Sequence, residues 1–200
     1  MLQLQYQSAE PFDVLQPYVF QMGPVDFYRQ YIKAYPESES RRTILRGFRH
    51  YLRDLDKLGA LVAVIVDGSF VTKKPNPGDI DISLFYDVES VNSMKPEEYT
   101  LLNNLSNDSI LCQEANKRKY HTHPYHCVPI WHKPTEELTD ISKDFTEKAL
   151  SFWSGSRDNK TTKGVIIIVF RREEAEQLEA LISWDPCCNS CPCRRARYGR

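Results

Sequence analysis

The stretch Leu61-Val62-Ala63-Val64-Ile65-Val66-Asp67-Gly68-Ser69 and, after a short loop, Asp79-Ile80-Asp81-Ile82-Ser83-Leu84-Phe85-Tyr86 decides the fold. Leu61 to Val66 is an uninterrupted apolar run rich in β-branched residues. Its length and composition predict a strand buried on both faces. Ile80, Ile82, Leu84 and Tyr86 then alternate with Asp79, Asp81, Ser83 and Phe85, and a period of two predicts a second strand. Between them, Asp67-Gly68-Ser69 reads as a turn. Thr72 to Gly78, with two lysines, two prolines and a glycine, reads as a loop.

Upstream of this pair, Ser38 or Ser40 can cap a helix. Ile44, Leu45, Phe48, Tyr51, Leu52, Leu55 and Leu58 recur at helical spacing on one side, and Gly59 ends the run. Arg41, Arg42, Arg46, Arg49, Arg53 and Lys57 fall largely on the other side. With Glu37, Glu39, Asp54 and Asp56 nearby they read as a solvated helix surface; the alternative is a nucleic-acid face. Further upstream, residues to Gly23 are expected to be extended, and Pro24 opens a short helix over Val25–Ala34. Downstream, the pattern predicts a helix over Pro96–Asn104, a strand over Tyr125–Trp131 and a helix over Thr135–Trp153. A strand over Gly164–Phe170 and a helix over Glu173–Trp184, stopped by Pro186, complete the chain. The expected class is α/β (α+β), a small mixed β-sheet flanked by helices. Residues 1–36 form an N-terminal extension packing on the core, 37–184 the main domain, and 185–200 a Cys/Arg-rich tail.

Composition narrows the function classes. The chain has 200 residues with 26 Lys+Arg against 27 Asp+Glu. That balance argues against a dedicated nucleic-acid coat protein, while leaving room for a small basic pocket. No apolar run approaches the ~20 residues of a membrane helix. Met1-Leu2-Gln3-Leu4-Gln5 does not resemble a secretory leader, so a soluble cytoplasmic protein is expected. Four of the six cysteines, Cys187, Cys188, Cys191 and Cys193, crowd into the tail. Their crammed spacing, followed by Arg194, Arg195, Arg197 and Arg200, fits a disordered end better than a zinc site or a basic peptide for nucleic acid.

The segment from Val66 to Ile82 carries the chemistry. Asp79 and Asp81, two residues apart on a strand, project to the same face. Their carboxylates can converge on a divalent cation, and magnesium favours such oxygen ligands together with substrate phosphates. Gly68 lets the backbone approach a polyphosphate. The Ser69 hydroxyl and local N–H groups can bond phosphate oxygens, and Lys73 and Lys74 can neutralise charge from the following loop. Arg157 and Lys163 flank a polar loop and either approach the phosphates or are plain loop charges.

This segment resembles the signature of the DNA polymerase beta-type nucleotidyltransferase superfamily: Gly68-Ser69 followed by Asp79-Ile80-Asp81-Ile82. More narrowly, the run from Asp67 through Asp81 is similar to a group of small bacterial and phage nucleotidyltransferase-like proteins. Phe152-Trp153, Ser156-Arg157 and Lys163-Gly164 before Val165-Ile166-Ile167 fit that group too. The resemblance implies magnesium held by Asp79 and Asp81 and a nucleoside triphosphate seated over Gly68 and Ser69. It implies transfer of a nucleoside monophosphate to a hydroxyl acceptor on a protein, an RNA or a small molecule. The superfamily usually adds a third carboxylate on a neighbouring strand. Here the corresponding stretch, His121-Thr122-His123-Pro124-Tyr125-His126-Cys127-Val128-Pro129-Ile130, has neither Asp nor Glu. His126 is the positional substitute, with His123 behind it, since a neutral imidazole serves as a general base near pH 7. A zinc site built from His121, His123, His126, Cys127 and His132 is the other reading of that cluster. The missing carboxylate motivates a rival function: a catalytically inactive nucleotide-binding or protein-interaction module on the same fold, in a toxin-antitoxin or phage-defence setting. RNA binding through the arginine-bearing helix and tail is a third option.

Overall fold

The elements run β1 (Tyr6–Gln7), β2 (Val14–Leu15), β3 (Val19–Gln21), α1 (Pro24–Tyr28) with a π-helical extension over Arg29–Lys33, α2 (Arg41–Asp56), β4 (Leu61–Asp67), a 3-10 turn over Gly68–Val71, β5 (Ile80–Asp87), α3 (Val88–Asn92), α4 (Pro96–Ser106), α5 (Ile110–Tyr120), β6 (Thr122–Ile130), α6 (Glu136–Ser154) and β7 (Val165–Val169). This computed structural model describes residues 4–8, 12–131, 135–155 and 163–170. The expected helix at Glu173–Trp184, the tail, Arg157 and His132 lie outside them. Among the described residues no helix is long and apolar enough to cross a membrane.

Five strands form one mixed sheet in the order β3-β7-β4-β5-β6. The β4–β5 and β4–β7 pairs are antiparallel, and the β3–β7 and β5–β6 pairs are parallel. β4 lies at the centre and is buried along its whole length, as an unbroken apolar run with both faces covered requires. β6 is an edge strand, which accommodates Pro124 and Pro129. The chain is therefore an α+β fold with a central mixed sheet flanked by helices.

The alternation along β5 sorts its side chains between two layers. Ile80, Ile82, Leu84 and Tyr86 pack with Ile44, Phe48, Tyr51 and Leu55 of α2. On the opposite face Phe85 joins Ala63, Ile65, Val128 and Ile167 against Ala149, Leu150 and Trp153 of α6. Residues 4–36, expected as an extension, contribute a strand to the main sheet through β3 and core side chains through Leu15, Phe27 and Tyr31. Gly164 closes this junction: its N–H donates to Leu15, and a Cβ there would collide with the Gln16 and Tyr18 carbonyls.

Two observed helices, α3 and α5, have no counterpart among the expected elements. α5 carries no apolar stripe, and its first two residues, Ile110 and Leu111, are exposed. It is held instead by Tyr120 and by Asn116, whose amide donates to the Asn104 and Leu105 carbonyls at 3.0 and 3.2 Å. His121 ends α5 in the left-handed region (φ 54°), a conformation in which His is over-represented among non-glycine residues. The strand beyond it starts at Thr122, not at Tyr125 as expected. That difference brings His123 into the sheet.

Candidate metal centre

The end of β4 lies beside the start of β5, and the register sets Asp67 directly opposite Asp81. In the parallel pairing of β5 with β6, Asp81 lies beside His123. Asp79, one residue before β5, completes a cluster. One ligand atom each from Asp79, Asp81 and His123 lies within 4.8 Å of the others, an arrangement able to coordinate a metal ion. The His123 Nδ1 is 3.6 Å from Asp81 Oδ1, and both side chains are only about one-seventh exposed (15% and 14%). Asp79 also receives the Lys117 ammonium from α5 at 2.8 Å.

Gly68 is held open for this cluster. Its φ is +76°, where a β-carbon is strained, and a Cβ there would occupy the space of the Asp81 carboxylate. Gly68→Ala is therefore expected to cost at least ~1–2 kcal/mol in a urea melt. It should also weaken divalent-cation binding by displacing Asp81. A variant with native stability and native cation affinity would contradict the close packing of turn and carboxylate.

Asp67, which in the sequence looks like a turn residue, is fully buried. Its Oδ2 accepts from Lys163 Nζ at 2.6 Å, while its Oδ1 has no hydrogen-bond partner among the described residues. Burial pushes the Asp67 carboxyl up to about 7, against the pull of Lys163 and with a smaller push from Asp81. Lys163 is positioned by its own backbone N–H, which donates to the Ser154 carbonyl at the end of α6 (2.7 Å).

The turn itself is organised by a residue expected on a solvated surface. Arg41 is fully buried. Its guanidinium donates to the carbonyls of Tyr31 (3.3 Å), Phe70 (2.7 Å), Thr72 (3.0 Å) and Lys74 (2.7 Å), and it lies over the Tyr35 ring at 4.0 Å. A planar fork with five donors can span that many carbonyls at once. The same loop is tied to the start of α2 by Asn76, which accepts from Ser38 Oγ and Glu39 N. Ser38, rather than Ser40, supplies the side-chain oxygen at that helix start, accepting from Arg41 N at 3.2 Å.

Other expected site residues fall elsewhere. Lys73 pairs with Asp13 at 3.1 Å and Lys74 reaches toward the Phe12 ring, so both ammonium groups turn to the N-terminal segment. His126 lies outside the carboxylate cluster. Its Nδ1 is 3.3 Å from Ser83 Oγ, which accepts from Trp153 Nε1 at 2.7 Å. His123, not His126, stands beside Asp81, because the parallel β5–β6 register pairs those two residues; the one-residue bulge lies beyond them and sets His126 opposite Ser83. The zinc reading is not supported on this side either. Cys127 donates to the Ser106 carbonyl, and burial raises its thiol to about 11. Among the described residues Asp79, Asp81 and His123 form the single group with metal-binding geometry.

Residues 9–169 match a family of unknown function, DUF6932. The chain belongs to the DUF6932 family. No curated protein and no solved structure matches it. The matched span of this DUF6932 chain contains the carboxylate cluster, the Gly68 turn and Lys163, so all of these sit within the family's own extent.

Proposed function

We propose that the chain is a magnesium-dependent nucleotidyltransferase of the DNA polymerase beta type. The observation that carries this reading is the convergence of Asp79 and Asp81 beside a glycine turn whose shape leaves room for the Asp81 carboxylate. Two carboxylates fit the oxygen preference of magnesium. Carboxylate ligands suit manganese as well, so both metals belong in the test. Asp79 and Asp81 would hold the cation, which would supply charge stabilisation for the phosphoryl oxygens and the leaving pyrophosphate.

The chain's own residues perform the rest. The Gly68 and Ser69 N–H groups and the Ser69 hydroxyl cradle the triphosphate. Lys163, anchored by Asp67, holds an ammonium at the end of β4 beside that turn and offsets phosphate charge. An acceptor hydroxyl oxygen bonds to the α-phosphorus as the bond from that phosphorus to the bridging oxygen breaks, and pyrophosphate leaves. His123, beside Asp81, receives the hydroxyl proton. Incubating the protein with α-labelled nucleoside triphosphates and magnesium or manganese should give labelled product. Asp79→Ala and Asp81→Ala should each lower the rate by about 10³-fold, the several kcal/mol expected of metal ligands. Absence of transfer together with metal-independent behaviour of both variants would refute the proposal.

A second reading has its own observation. Lys117 on Asp79 and Lys163 on Asp67 neutralise two of the carboxylates, as in a nucleotide-binding module without catalysis. Calorimetric binding of nucleotide with no turnover favours that reading, and turnover excludes it.

A further inference from the structure

Deepening the nucleotidyltransferase reading, and resting on it for the kind of ligand, we propose that the cleft over the outer edge of β6 seats a nucleobase. The cleft lies between α4 and α6 and has a volume of about 520 Å³, within the ~300–1,000 Å³ of small-molecule sites. Tyr99 of α4 and Phe145 of α6 stand on opposite walls with about half of each side chain exposed (56% and 43%), and Tyr125 and His126 contribute from β6. Half-exposed aromatic rings around a cleft offer π-faces to a planar ligand, and every nucleobase has such a face. Asn103 and Asp108 at the rim provide donors and acceptors for a nucleobase edge.

Tyr125 links the cleft to the carboxylate cluster, lining the one and reaching His123 of the other. Tyr125 is the extra residue of the β6 bulge, and bulges re-aim side chains next to active sites. Its hydroxyl lies 3.2 Å from His123 Nδ1, and that ring lies 3.6 Å from Asp81. His126 stands three residues along β6 from His123, at most ~10 Å of strand. That is the order of separation a ribose places between a nucleobase and its α-phosphate. His126 is also suited to stacking. The Ser83 oxygen accepts from the Trp153 N–H at 2.7 Å and lies 3.3 Å from His126 Nδ1, which holds the ring in place. Burial lowers the His126 pKa, which favours the neutral ring.

The test is calorimetry with three probes: magnesium ATP, magnesium tripolyphosphate, and a short single-stranded RNA without a triphosphate. Phe145→Ala is expected to weaken ATP binding about tenfold (~1.4 kcal/mol) and to leave tripolyphosphate binding unchanged, with Phe145→Trp restoring affinity. A tenfold loss confined to the RNA would also support the cleft, and would assign the nucleobase to the acceptor. Equal weakening of ATP and tripolyphosphate, or no change with any probe, would overturn it. The two readings fail separately. Binding that responds to Phe145 but not to Asp81→Asn sinks the carboxylate-centred reaction alone. Binding that responds to Asp81 but not to Phe145 sinks the cleft alone.

Discussion

Arg41→Ala is expected to lower stability by about 3–5 kcal/mol, on the scale of removing one member of a buried charged network. For a chain of this size that corresponds to a fall of roughly 6–20 °C in melting temperature. The cause is specific. Four backbone carbonyls, from Tyr31, Phe70, Thr72 and Lys74, point at one guanidinium. Three of the four belong to the turn and loop that carry Gly68 and Ser69. Without Arg41 they lose this donor, two of them in buried and two in part-buried surroundings. Arg41→Lys should recover little, because an ammonium has three donors on a single atom and cannot reproduce the fork. Both variants should therefore also weaken phosphate binding at the turn. Urea melts that place Arg41→Ala within ~0.5 kcal/mol of the wild type, the range of ordinary surface substitutions, would remove this account.

Asp67 and Lys163 make the second large effect. At about pH 8, above the titration of Asp67, replacing either one alone leaves its buried partner unpaired and is expected to cost ~3–5 kcal/mol. The pair Asp67→Asn with Lys163→Met should lose much less than the two single losses added, which a double-mutant cycle measures directly. The pH dependence has a definite sign. The folded carboxyl titrates at about 7 against an ordinary value of 3.8. The folded chain therefore holds the proton where the unfolded chain has released it. This group contributes stability that is fully present below about pH 4, is lost as pH rises toward about 7, and changes no further above that. Relative to Asp67→Asn, wild-type stability should thus decline between those values. A flat difference across the window would show that Asp67 is ionised and well paired throughout.

Much of the fold was legible because its strands obey simple periodicities. The six-residue apolar run and the alternation of Ile80, Ile82, Leu84 and Tyr86 each correspond to a strand of the sheet, β4 and β5. The stripe from Ile44 to Leu55 corresponds to α2, whose buried face packs on them. α5 was not legible, since it is fastened by an asparagine and a tyrosine rather than by an apolar face. The carboxylate pair of the candidate site could be read from spacing alone, because strand geometry sends alternate residues to one side. The groups around it could not. Arg41 looked like one of several surface arginines, and its burial depends on carbonyls up to 33 residues away in the chain. Asp67 looked like a turn residue, and only the β4–β5 register sets it against Asp81.

The sequence by itself determined the strands, the main amphipathic helix and the shared orientation of Asp79 and Asp81, since these follow from local periodicity and backbone geometry. Tertiary structure decided which histidine stands beside the carboxylates, because the register of β6 on β5 pairs His123 with Asp81 and, past a one-residue bulge, His126 with Ser83. It also decided that Lys163 and Lys117 reach the site while Lys73 and Lys74 turn away. Long charged side chains go to whatever partner the packed chain offers, and partners distant in sequence leave no periodic trace.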